Sequence, residues 1–190
     1  MPLPARYATV AFALLALVPV AQPTLTQTTP ALTDEEMIAS AEQGAPESLG
    51  RLAQIIVWEG DDWRVLREGG PMGWWCVPDN PASPAPDPIC GDANALQWWT
   101  ALMQHQEAPP EGEYGILYAH LGAQVASNTD PFATEPPEGS EWITLPPHIG
   151  TVYDPQELSG RVGSPAPDVN APFIMWYDTP YAHLRQPEGW

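Results

Sequence analysis

Four histidines, His105, His120, His148 and His183, are the side chains best suited to proton or metal chemistry near neutral pH. His105 falls at the end of an amphipathic segment, where a cation suits a helix C-terminus. The other three fall in strand-like segments: YGILYAHLGA (114–123), WITLPPHIGTVY (142–153) and YAHLRQ (181–186). Strand alternation puts Tyr118 on one face with His120, and Tyr181 on one face with His183. Three imidazoles from three strands, His120, His148 and His183, can meet on one sheet face and hold a divalent transition metal, with Asp130 or Asp154 as a further ligand. No HxH or HExxH pair accompanies them. The same groups fit acid–base work, with His148 and His183 as proton carriers and Asp130 or Tyr181 in support. Asn128, Trp176 and Tyr118 are the expected ligand contacts beside them.

Other chemistries find less in the chain. Ser127 in ASNTDP has Asn128 and Asp130 nearby, but there is no G-x-S-x-G elbow, and SNTDP reads as a turn whose side chains bond local backbone. Trp58, Trp63, Trp74, Trp75, Trp142 and Trp176 suggest stacking on sugar rings, yet Trp74 and Trp75 must face opposite ways on a strand. Asp79, Asn80, Asp87 and Asp92 carry oxygen ligands for calcium without the spacing of a calcium loop.

These residues need a scaffold, and the chain supplies one in pieces. Thr33-Asp-Glu-Glu36 before MIASAEQ is a capping box opening a helix, and ESLGRLAQ after Pro46 adds a turn or two. IIVWEG (55–60), WRVLREG (63–69) and GWWCVPD (73–79) are β-branched or aromatic runs divided by Asp61-Asp62 and by Gly69-Gly-Pro-Met-Gly73, which reads as an antiparallel meander. Asp92 then caps a helix carrying Leu96, Trp99, Leu102 and Met103 on one face, widened by Trp98 and Ala101, and Pro109-Pro110 ends it. PFIMWY (172–177) and YAHLRQ form a hairpin across Asp178-Thr-Pro180, while Pro146-Pro147 demands a bulge or an edge position. Without βαβ alternation, the fold expected is α+β: a mostly antiparallel sheet packed against one or two helices. Connections at 124–141 and 154–171 exceed ordinary loop length and are candidates to line a site.

The two ends and the composition bound the biology. Residues 1–21 read as an export signal, with Arg6 before the apolar run Tyr7 to Val20 and a small residue, Ala21, for cleavage. Residues 22–32 are polar and proline-flanked, a flexible tether, and 33–190 is expected to be one domain. A formal charge of −18 with no lysine repels phosphate backbones and anionic membrane surfaces, so nucleic acid is excluded as a partner. No second segment is long enough to insert in a membrane after signal cleavage. In an exported protein the chain's two cysteines, Cys76 and Cys90, are expected to pair, with the prolines and aspartates between them making turns.

From Gly73 onward, GWWCVPDNP (73–81), SNTDPFATEPPEG (127–139), PPHIG (146–150) and MWYDTPYAHL (175–184) resemble a family of exported bacterial proteins of no assigned activity. The resemblance implies methionine as a common residue at the positions of Gly150 and Arg185, so a copper site using histidine and methionine would lack thioether ligands here. The function expected is that of a periplasmic or extracellular protein binding a small ligand or metal ion near His148 and His183. A small hydrolase or lyase using those histidines, and a structural or interaction protein of the cell envelope, are the alternatives.

Overall fold

In the computed structural model, residues 32–153, 158 and 163–189 are described. The expected signal, residues 1–21, and nearly all of the expected tether lie outside them. From Leu32 onward the chain is one compact unit. No helix among the described residues is long and apolar enough to cross a membrane.

Helix α1 (Asp34–Ala41) starts as its sequence dictates. The Thr33 hydroxyl accepts from the Glu36 amide, and the Glu36 carboxylate accepts from Thr33 N at 2.8 Å. A 3₁₀ turn (Glu42–Gly44) and the short α2 (Glu47–Gly50) follow. Then come β1 (Gln54–Glu59), β2 (Asp62–Arg67), β3 (Trp75–Val77) and β4 (Ile89–Gly91), α3 (Ala93–Met103), β5 (Gly115–Ala119), β6 (Ala123–Val125), β7 (Ile143–Leu145), β8 (His148–Val152), β9 (Phe173–Met175) and β10 (His183–Pro187).

Eight strands form one sheet in the order β2-β1-β3-β4-β5-β8-β10-β9, while β6 and β7 make a separate ribbon. Every neighbouring pair is antiparallel except β1 and β3, and the class is α+β with a mostly antiparallel sheet. The parallel pair corrects the expected meander. After β2 the chain crosses the start of β1 instead of turning back beside β2, with the Gly70 amide bonding Leu52 O. A Cβ on Gly69 would lie 2.7 Å from Gln54 N, so only glycine permits that crossing. Two further runs split. Gly122, at φ +83, separates β5 from β6, and Pro146-Pro147 ends β7 before β8 begins in the larger sheet. Proline cannot donate to a ladder, so the pair breaks the strand and does not bulge it.

The sheet is covered on both faces. One face, with Ile55, Cys76, Cys90 and Tyr118, packs against Ala41 and Ala45 of the N-terminal helices. The other carries Trp75, Leu117 and Val152 against Trp98, Ala101 and Leu102 of α3. Helix α3 is capped by Asp92, which accepts from Ala95 N at 2.9 Å, and it ends at Met103, before the two prolines expected to stop it.

Cys76 and Cys90 are bonded to each other and sit opposite one another on β3 and β4. Both are fully buried, on the α1 face. Between them the carboxylates and Asn80 serve the backbone: Asp79 accepts from Asp87 N, Asp87 from Asn80 N, and Asn80 Oδ1 from Ala82 N. The loop is a staple with internally bonded turns. Replacing both cysteines by alanine is expected to lower stability by about 3 kcal/mol, the chain-entropy value for a loop of this size. Urea melts measure it; a stability loss well under 1 kcal/mol would contradict the staple.

Candidate functional site

Strands β8 and β10 each open on a histidine and pair antiparallel, with Gly150 opposite Arg185 and His148 opposite Pro187. Alternation therefore turns His148 and Gly150 of one strand, and His183 and Arg185 of the other, to a single face of the sheet. Met175 of β9 pairs with His183 and joins them.

The two imidazoles are held in the same way. His148 Nδ1 lies 2.6 Å from Pro146 O, and His183 Nδ1 lies 2.8 Å from Tyr181 O. A carbonyl only accepts, so each Nδ1 carries the proton and each Nε2 presents a lone pair. Both Nε2 atoms are buried and have no partner among the described residues. Burial, followed by the charge of Arg185, pushes His148 down to about 3. The same two causes in the same order hold His183 well below the ordinary histidine range. His183 is wedged edge-on against Trp98 and Trp176, with ring centroids 4.9 and 5.2 Å away.

Arg185 lies between the two imidazoles in register and is 4% exposed. Its Nε donates to Met175 Sδ at 3.3 Å, and its Nη1 has no partner among the described residues. Burial lowers its pKa to about 9, which leaves the guanidinium charged at neutral pH. Gly150 makes room for it: a Cβ there would lie 2.7 Å from Nη1.

Above this floor opens a cleft of about 500 Å³, walled by Trp63, Trp99, Val125, Leu145, Met175 and Trp176, with His148 and Arg185 at its base. The ribbon β6–β7 and the loop that follows β6 form one side, as the length of the 124–141 connection suggests. Residues 154–157 and 159–162 of the 154–171 connection, Asp154 among them, lie outside the described residues.

The expected site residues divide. His148 and Trp176 come together at the cleft, while His183 lies buried edge-on behind Trp176 and does not line it. Trp176 also anchors its wall, donating from its indole to Ser127 O at 3.1 Å. His120 does not join them: it lies just past the end of β5, bonded to Glu188 at 2.9 Å, so the three-histidine metal set is not assembled. Among the described residues no group of three or more His, Cys, Asp or Glu could hold a metal. Tyr118 is on the opposite face, packed on Trp74, because it pairs with Cys90 and alternates with the inward Leu117 and Ala119. Asn128 is a buried brace: Nδ2 donates to Ser164 O and Ile174 O while Oδ1 accepts from Trp176 N. Its polar atoms are occupied, so it is no ligand contact. Asp130 is exposed at the cleft wall with its carboxylate accepting from Phe132 N, and it bonds neither histidine. Ser127 Oγ accepts from the amides of Thr129 and Asp130, the turn expected of SNTDP. The hydroxyl of Tyr181 donates to Gln106 O, so it is the residue's backbone carbonyl that orients His183.

Arg185 and Met175 escaped the sequence reading. The signal for Arg185 was present in His183-Leu-Arg185, since alternation puts the cation on the histidine's face. Met175 carried no comparable signal, because its place depends on register with β10. Comparison with protein-family models, with curated proteins and with solved structures finds no match.

A pH test follows from the buried imidazole. The unfolded chain binds a proton at His148 near its ordinary pKa of 6.5, and the folded one only near about 3. Between those values the unfolded state holds more protons, so this group costs stability progressively as pH falls below 6.5. The urea midpoint should therefore drop more steeply from pH 7 to pH 4.5 in the wild type than in His148→Gln. Parallel pH curves for the two proteins would rule the assignment out.

Proposed function

We propose that the protein is an exported binding protein that takes one small, largely apolar molecule in the cleft above His148 and Arg185. The observation that carries this reading is the pocket itself: about 500 Å³, walled mainly by aromatic and aliphatic side chains, with His148 and Arg185 buried in it and Asp79, Asp87 and Asp130 among its polar lining. Ligand sites have this size and this mixture. The buried disulfide supports an oxidising compartment, periplasmic or extracellular, as do the N-terminal sequence and the resemblance to exported bacterial proteins.

The enzyme alternative draws less support. A histidine with a pKa near 3 is a weak base and an unprotonated acid at neutral pH, and neither Asp130 nor the Tyr181 hydroxyl touches an imidazole. A transition-metal version is favoured by the two free Nε2 lone pairs, each fixed by an Nδ1–carbonyl bond as metal-ligating histidines are. The permanent charge of Arg185 in register between them opposes it.

The neutral dye N-phenyl-1-naphthylamine tests the cleft. Its emission should rise saturably at one site, and Val125→Trp, which adds an indole to the wall, should weaken binding at least tenfold while leaving the fold intact. A dye response untouched by Val125→Trp, or absent from the wild type, would remove the cleft as the binding site.

A further inference from the structure

We infer that the molecule this cleft takes is apolar along most of its length and ends in a single carboxylate, anchored by Arg185; this rests on the binding reading above. Four arginines lie among the described residues, and three are paired with acids: Arg51 with Glu47, Arg64 with Asp34 and Glu59, and Arg67 with Glu42. All three retain solvent access. Arg185 is the buried one, and it has no acidic partner among the described residues. This inverts the usual order, because a charge away from water needs a counterion more than an exposed one does. In a chain with 24 acidic residues, a carboxylate beside Arg185 would have been easy to place.

The geometry says where the missing partner belongs. Nε is bonded to a thioether, a weak acceptor, and Nη1 has no partner among the described residues, in a side chain that lines the cleft. Buried donors in native proteins are paired nearly always, so a free guanidinium donor at the base of a cleft marks the place of an absent acceptor. Gly150 lets the guanidinium lie close against β8, since any side chain there would press on Nη1 and displace it. A planar carboxylate suits a planar guanidinium. Among the residues lining the cleft Arg185 is the one cation and His148 is uncharged, while Asp79, Asp87 and Asp130 along the wall oppose a second negative charge, so the site suits one negative charge and no more. The walls, Trp63, Trp99, Val125 and Leu145, suit an apolar body.

Calorimetric titration of the full chain with decanoate and with 1-decanol separates the charge from the tail. Decanoate should bind at least tenfold more tightly than 1-decanol. Arg185→Met should weaken decanoate about ten- to a hundredfold, the range for hydrogen bonds to charged groups, and leave 1-decanol unchanged. The same substitution should raise the melting temperature of the unliganded protein, because it removes an uncompensated buried charge. Gly150→Ala, which crowds Nη1 without removing the charge, should weaken decanoate selectively and decides the matter if Arg185→Met does not fold. Equal decanoate affinity in the wild type and both variants would overturn the carboxylate anchor while 1-decanol binding still upheld the cleft. Binding of neither compound by the wild type would overturn both. A lowered melting temperature with unchanged decanoate affinity in Arg185→Met would make Arg185 a structural cation and overturn the anchor as well.

Discussion

The pairing of Gly150 with Arg185 across β8 and β10 is the contact on which the character of the cleft depends. A slip of one residue between these strands would put His148 on one sheet face and His183 and Arg185 on the other, because side chains alternate. The register is held from several sides. β8 pairs with β5 as well as β10, and the hairpin to β9 fixes Met175 opposite His183. Each histidine is then turned by a carbonyl two residues before it, so the orientation of both rings is written into the strands that carry them. The result is a small polar group inside an apolar face: two proton-free Nε2 atoms, one guanidinium donor, and a thioether.

The disulfide and the histidine–arginine group lie on different strands, yet the loop between the cysteines reaches the cleft, where Val77, Asp79, Asn80 and Asp87 help line it. The disulfide joins β3 to β4, beneath α1 and beside the parallel β1–β3 pair. The histidine–arginine group lies on β8, β9 and β10, on the face that carries α3. Between them β5 belongs to both, with Tyr118 turned to the disulfide side and Leu117 to the other. Asn128 does similar work for the cleft wall, tying the loop after β6 to β9 and to Ser164 through three hydrogen bonds. A polar residue so fully bonded rigidifies its surroundings and has nothing left to offer a ligand.

Much of this was legible before any coordinates. The capping box at Thr33, the Asp92 cap, the hairpin at Asp178-Thr-Pro180 and the Cys76–Cys90 pair are local signals, and each acts over a few residues. What the sequence concealed is non-local. The strand following Gly69-Gly70 could not be read as parallel to β1, because the crossing depends on a backbone contact with Gln54. His120 has the same residue type and a similar setting to His148 and His183, yet it lies one residue beyond β5 and bonds Glu188. Nothing in the sequence sets Arg185 apart as more buried than the other arginines of a chain that has few. Only its burial against Met175 and Gly150 distinguishes it from Arg51.

On the binding reading proposed above, the distribution of charge sets what the cleft would select. At physiological ionic strength the field of the acidic surface is screened within about 8 Å, so it acts on a ligand only at close approach. There it disfavours polyanions, whose several charges would all meet the acidic surface while one guanidinium could answer only one. Past the surface the balance changes, because a charge–charge contact in the low-dielectric floor is far stronger than the same contact in water. A ligand with one negative charge and a long apolar body crosses the repulsive zone at modest cost, gains the aromatic walls, and meets the guanidinium where water no longer competes. A neutral ligand of the same shape gains the walls and leaves Arg185 unsatisfied. On that reading the acidic surface and the buried cation would act as successive filters, the first on the number of charges and the second on their presence.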